Sequence, residues 1–311
     1  MIKYGVQCNY VATKIRRAGA ATIRGLAWLL VGGATCAADP PDRTNRVAPA
    51  DKRTCELLLS APRAALRGMH TDRPDQTESA YTVDAGRFQV EMDLLRLTLD
   101  SDRFGGGDVR TETWAVAPLN LKAGLRHDLD LQLVLDPFIH ARSEDRAAGT
   151  VNEATGFGDL QTRLKLNLWG NDGGRTALAV MPFVKWPLPQ SSLRNGRVEG
   201  GVIFPFALDL GRGWGLGAMT ECDFVAGEDD GDEVEFVNSV TLARDVTRRL
   251  GMYVEFYTVT GTAPGLRWQG QVDVGWTYAL GEDMQLDLGC NFGVTEAAPD
   301  FNPFVGLSRR F

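Results

Sequence analysis

The feature that most constrains this chain is a period of two. Between residues 86 and 311, apolar and polar side chains alternate in one run after another. Residues 159–168 show it plainly: Leu160, Thr162, Leu164, Leu166 and Leu168 fall on one side, Asp159, Gln161, Arg163, Lys165 and Asn167 on the other. Successive side chains of an extended chain point to opposite faces, so the pattern predicts strands with one apolar and one polar face. It recurs at 88–94, 268–280 and 284–293. Weaker versions occur at 111–123, 129–139, 175–186, 198–210, 214–225, 234–245, 250–259 and 302–311, which makes twelve strands in all.

The connections between these strands alternate in length. Short ones fall at 125–128, 170–174, 211–213, 246–249 and 281–283; long ones at 100–110, 140–156, 187–197, 226–233, 260–266 and 294–301. An even count of strands of about ten residues, with short turns on one side and long polar loops on the other, describes a transmembrane antiparallel β-barrel of the outer-membrane type. Closure follows from the solvent, because an unpaired strand edge in lipid leaves backbone donors unsatisfied at several kcal/mol each. Both ends of the barrel are expected on the periplasmic side. A soluble β-sandwich would alternate too, but its apolar faces would need a common core. Trp169, Trp186, Trp214, Trp268 and Tyr278 near strand ends match interfacial girdles, and the chain closes on Phe311. Pro118, Pro182 and Pro205 fall inside predicted strands and are expected at bulges or strand ends. Arg309 falls on the lipid face, where it is expected to snorkel to the headgroups.

The first residues have another composition. Residues 1–38 carry Lys3, Lys14, Arg16, Arg17 and Arg24 with no acid, then the short apolar run 26–31 and small residues. That is the pattern of a secretory signal peptide, with cleavage expected near 36–38. Removing it takes five positive charges and leaves 28 basic against 40 acidic residues, net -12. A general affinity for nucleic acid is therefore not expected. A mean hydropathy of -0.16 excludes a polytopic helical membrane protein. The cysteines left, Cys55, Cys222 and Cys290, form neither a disulfide framework nor a zinc spacing. Residues 39–71 lack periodicity and read as a flexible periplasmic leader. Residues 72–311 read as the barrel, with 72–85 a motif segment ahead of the first strand.

That motif carries a resemblance. Thr71-Asp72-Arg73-Pro74-Asp75-Gln76-Thr77-Glu78-Ser79, followed by Val83-Asp84-Ala85-Gly86-Arg87-Phe88-Gln89-Val90-Glu91, resembles the MetA-pathway family, outer-membrane transporters linked to the meta pathway of phenol degradation. The segment 156–160 and the ending 300–311 resemble it too, so the likeness covers 71–311. It implies an outer-membrane barrel and small aromatic or apolar solutes as its cargo. It brings no catalytic residues.

The polar faces supply candidate lumen residues: Arg87, Glu91, Asp93, Glu112, Lys122, Asp130, Asp136, Asp159, Arg163, Lys165, Lys185, Glu221, Asp223, Glu255 and Asp273, with Tyr253 among them. Trp114, Met181, Phe183, Met219 and Tyr257 are expected on the same inner face. Two readings stand, a narrow or gated conduit and a barrel filled by salt bridges, because eight-strand barrels are filled and only wide ones are open. Two readings also stand for 71–79: a plug that pairs Arg73 with lumen acids, or a capped turn before the first strand. The acidic loop 228–233 lacks calcium-loop spacing and reads as a solvated outer loop. His70, His127 and His140 find no nucleophile motif beyond an isolated Ser143, so a lipid hydrolase is only a minor alternative. No cofactor or metal is expected. The expected function is passive uptake of small hydrophobic or aromatic compounds; the alternative is a closed structural or ligand-binding barrel. Expected partners are outer-membrane lipid, lipopolysaccharide and, through Phe311, the barrel-assembly machinery.

Overall fold

A computed structural model describes residues 52–311 except 104–106, 189–192, 194–195, 228–230 and 264–265. The expected signal peptide, and the first half of the acidic loop 228–233, lie outside the described residues. Two single 3-10 turns, Lys52–Thr54 and Arg63–Ala65, precede the strands. The strands are β1 Phe88–Asp102, β2 Val109–Val116, β3 Leu119–Arg126, β4 Leu129–Leu135, β5 Phe138–Asp145, β6 Thr150–Gly156, β7 Leu160–Trp169, β8 Thr176–Trp186, β9 Glu199–Gly211, β10 Trp214–Ala226, β11 Asp232–Asp245, β12 Leu250–Gly261, β13 Gln269–Ala279, β14 Met284–Gly293 and β15 Phe301–Arg310.

All form one antiparallel sheet, and β15 returns to pair with β1. One half of β1 pairs with β2 and the other with β3; β5 and β4 follow them, then β6 and β7. Thus β2–β3, β4–β5 and β6–β7 are single staves, each interrupted once. The result is a closed barrel of twelve staves, as the alternation predicted. Gln89 faces Arg310 across the closing seam, so both ends of the barrel lie at the end that carries the short turns.

The barrel is inside-out. Along β7, Gln161, Arg163, Lys165 and Asn167 are buried while Leu164 and Leu168 are exposed, at 39% and 49%. Phe88, Leu121, Phe224, Phe256 and Leu288 continue the apolar outer belt. In water such a belt would far exceed the apolar patches a monomer tolerates; a bilayer is its solvent. Trp169, Trp186, Trp268 and Tyr278 are exposed on it, while Trp214 is half-buried under Arg244, 4.7 Å from its ring centre. Arg309 is exposed and lies over Phe311, 4.7 Å from the ring centre.

Four adjacent staves depart from simple alternation at the same height. In β1 the register shifts between Asp93 and Leu95, and Leu94 and Leu95 are both exposed. The next stave breaks at Ala117, whose φ is 55°, and Pro118; the following ones break around 136–137 and 157–159. The breaks are bonded to each other: the Asp93 amide donates to the Pro118 carbonyl and the Gly158 amide to the Asp136 carbonyl, each at 2.9 Å. An extra residue in a strand swaps the faces beyond it. Inward residues are therefore even-numbered on β3 and odd-numbered on β2.

The structure corrects several expectations. The predicted loop 100–110 gives up its two ends to β1 and β2, and the predicted loop 140–156 is mostly strand, with β5 and β6 joined by only 146–149. Their outer face is charged, with Arg142 Nε 3.5 Å from Glu153 Oε1 across the pair. Apolar alternation is needed only where a face meets lipid, so these extensions carry no such signal. Pro118 ends a strand as expected, but Pro182 and Pro205 lie within β8 and β9. The register is the same on both sides of them, Leu178 facing Phe206 and Met181 facing Ile203.

Candidate functional site

The site is the barrel interior, and a segment of the same chain fills part of it. Residues 71–83 are too polar and aperiodic to form a strand or an amphipathic helix. They run inside the barrel, where their polar groups meet the inward polar faces. Asp72, Arg73, Gln76, Thr77 and Glu78 are all buried. Buried charge is tolerated only when paired, and each of these groups finds a partner on the wall.

Asp72 is held between two lysines, Lys122 Nζ at 2.5 Å and Lys165 Nζ at 2.6 Å. Burial opposes its charge, but the two lysines outweigh it and hold the carboxyl well below its ordinary range. Its amide donates to Glu91 Oε2 at 3.0 Å, and Glu91 also contacts Lys122. Arg73 bridges Asp93 and Asp287, the latter through Nη2 to Oδ1 at 2.7 Å and Nε to Oδ2 at 3.3 Å. Arg96 shares Asp93, and both guanidiniums lie over the Phe304 ring.

On the opposite wall, Glu255 accepts from the amides of Gln76 and Thr77 at 2.7 and 2.8 Å, and from the Thr77 and Thr241 hydroxyls. The Gln76 side chain donates to Gln271 at 2.9 Å and to Asp273 at 2.7 Å. Glu78 pairs with Arg163 at 2.6 Å. Asn167 donates to the Ala80 carbonyl at 2.8 Å, and the Val83 amide donates to Asp130 at 2.9 Å. The segment is therefore bonded to inward residues from β1 round to β14. This is the plug arrangement, with Arg73 on the two acids.

Residues 52–70, part of the expected leader, pack at the short-turn mouth. Lys52 lies 3.3 Å from Asp84 and 3.1 Å from Asp172; Arg67 lies 3.2 Å from Asp84 and donates to the His127 carbonyl at 2.9 Å. Beyond the plug, toward the long-loop end, Met181, Phe183, Ile203, Met219, Val237, Tyr257 and Val259 form an apolar cluster on the β8–β12 wall. The Glu78 amide touches it at Met219 Sδ, 3.4 Å away. Leu193, in the β8–β9 connection, packs on Ala115, Ile139 and Ala141.

Most expected lumen residues are brought into this interior: Glu91, Asp93, Lys122, Asp130, Asp136, Asp159, Arg163, Lys165, Glu221, Asp223, Tyr253, Glu255 and Asp273 are all buried. Lys185 is half-buried toward the long-loop end and contacts Glu199. Arg87 sits at the short-turn rim and donates to the Ala61 carbonyl at 3.1 Å. Glu112 and Trp114 are corrections. They lie on the outer face of β2, where Trp114 Nε1 donates to Glu112 at 2.5 Å, while their neighbours Thr111 and Ala115 are buried. The break at Ala117 reverses the parity that made Glu112 and Lys122 look alike. Arg96 was missed for the same reason, and Asp287 had only the alternation of β14 to mark it.

A family match covers residues 71–311, and the family is described as "Putative MetA-pathway of phenol degradation". The chain belongs to this family. The comparison with curated proteins gives no match. Among solved structures, the fold is similar to an outer membrane channel from Pseudomonas putida F1, at 15% identity and a TM-score of 0.56, over 78% of this chain and 100% of that one. It is also similar to the transport unit of the autotransporter AIDA-I from Escherichia coli, at 10% identity and a TM-score of 0.50, over 78% of this chain and 93% of that one. At these identities the likeness is one of fold, an outer-membrane type of barrel.

Proposed function

We propose that this protein is an outer-membrane channel for passive uptake of small hydrophobic or aromatic compounds, closed at rest by its own residues 71–83. Membership of a family tied to phenol degradation supports the cargo class. The observation that carries the conduit is the plug itself, a segment outside every strand, held mainly by polar contacts across the lumen. In an opened, water-filled lumen water would satisfy the groups these contacts release, whereas a purely structural filling would be served by wall side chains meeting each other. The short-turn end, with the plug's tether, faces the periplasm in this reading. Without a nucleotide-binding motif the chain has no energy source of its own, so solute runs down its gradient. No catalytic role is proposed for any residue.

The second reading, a closed structural or ligand-binding barrel, is favoured by one observation: Met181, Ile203, Val237, Tyr257 and Val259 have no accessible surface. Planar-bilayer recordings separate the two. The channel reading expects rare openings from the full chain and sustained ion steps after removal of residues 72–79. It also expects slower growth of a strain lacking the gene on a limiting aromatic carbon source. Silent bilayers for both forms, with normal growth on every aromatic tested, would leave the closed barrel as the account.

A further inference from the structure

The leader contains a turn built against the usual chemistry of turns. The Glu56 amide donates to the Leu59 carbonyl at 3.0 Å and the Leu59 amide to the Glu56 carbonyl at 2.9 Å, which places Leu57 and Leu58 at the tip. Exposed tips normally carry Gly, Asn, Asp or Ser. Here Leu58 is 98% exposed, Leu59 63% and Leu57 39%.

The turn is fixed in place. Glu56 bridges to Arg126 at the short-turn end of β3, and the Ala61 amide donates to the Ala85 carbonyl at 3.0 Å. Gly86, at φ +71°, lies so close that a Cβ there would meet Ser60 Cβ at 2.4 Å. The chain thus extends the barrel wall just beyond Phe88, whose backbone pairs with that of Phe311; both rings are exposed on the outer belt. The leucines continue this belt past the rim. Each would gain on the order of 25 cal/mol per Å² on leaving water.

Charge singles out the same partner. Residues 52–70 hold Lys52, Arg53, Arg63 and Arg67 against one acid, Glu56, in a chain whose net charge is -7. At the same end of the barrel the side chains of Arg63 and Arg126 are 80% and 55% exposed, and although each meets one carboxylate, Asp283 at 3.4 Å and Asp128 at 3.2 Å, most of each side chain still faces outward. Apolar residues flanked by exposed cations suit an anionic phospholipid surface.

We propose that the Leu57-Leu58-Leu59 turn is a lipid anchor: its leucines enter the acyl boundary of the leaflet at the short-turn end, with Arg63 and Arg126 at the headgroup phosphates. It would fix the mouth-side tether of the plug to the membrane. This rests on the reading of the barrel as membrane-spanning. The test uses the full chain in vesicles of phosphatidylethanolamine and phosphatidylglycerol, with a benzophenone-bearing residue in place of Leu58, Leu168 or Asp172. Leu168 reports the bilayer, and Asp172 reports a hydrated turn at the same end. After irradiation, lipid adducts at 58 are expected within about twofold of those at 168 and roughly tenfold above those at 172. Adducts at 168 with position 58 no higher than 172 would overturn the anchor while leaving the barrel reading intact. Adducts at none of the three would overturn the membrane reading and the anchor with it.

Discussion

Arg73 shows how much one side chain can decide. Its guanidinium joins Asp93 on β1 to Asp287 on β14, next to the closing seam, and it needs Gly306 to do so. A Cβ at Gly306 would lie 2.0 Å from Arg73 Nη2. Arg73→Ala leaves Asp287 buried without its cation, a loss of about 3–5 kcal/mol. We expect a matching fall in the urea midpoint of the vesicle-inserted barrel, and Gly306→Ala should reproduce much of it. Asp72 adds a pH dependence. Its carboxyl, ordinarily near 3.8, is held well below that value by Lys122 and Lys165 against the opposing effect of burial. A depressed carboxylate contributes stability that is full above its unfolded pKa and is lost as pH falls through the folded one. Unfolding followed from pH 7 down to about 2 should show the wild type weakening only below about pH 4. Asp72→Asn should be weaker at neutral pH and flatter over the acid range; an unchanged acid limb would remove Asp72 from that role.

At the scale of elements, the strands obey the alternation wherever one face meets lipid and depart from it where neither does. The β7 face is the simplest test. Leu164 is exposed on the belt between buried Arg163 and Lys165. Leu164→Arg should cost about 2–4 kcal/mol if it sits near mid-membrane, read as a lower folded fraction in urea titrations with lipid vesicles. The line of breaks through β1, β2–β3 and β4–β5 makes the opposite forecast for β2. Cysteine at Glu112 should react with a water-soluble maleimide from outside, whereas cysteine at Thr111, 4% exposed, should be protected. Peptide mapping separates these sites from the half-buried Cys222 and Cys290. Equal reactivity at 111 and 112 would mean that the face swap is wrong.

At the scale of the whole molecule, closure depends on the two ends of the chain finding each other. The Phe311 amide donates to the Phe88 carbonyl at 2.8 Å and Phe88 returns the bond at 3.4 Å, beyond the last strand pair. Deleting Phe311 removes these bonds and the ring under Arg309. We expect a smaller fraction of heat-modifiable, folded barrel on electrophoresis, both after refolding into lipid and in membranes of expressing cells. A normal folded fraction in both would show that the seam needs no terminal aromatic ring.

The sequence by itself determined the barrel. A period of two, an even strand count and alternating connection lengths left few other ways to satisfy the backbone, since lipid on one face enforces apolar residues at every second position. Arg163, Lys165 and Glu255 were legible as inward residues for the same reason, because each lies in an unbroken run. Glu112 and Arg96 were not. Their faces depend on single extra residues at Ala117 and near Leu94, and such a break is visible only when the neighbouring staves are seen to share it. The motif 71–79 announced itself by its charges, but a plug and a capped turn need the same residue types. Only the tertiary structure decided between them. The acids and amides that meet Arg73, Gln76 and Glu78 come from strands far apart in the chain, and closure of the sheet is what brings Asp93, Arg163, Glu255 and Asp287 around one segment.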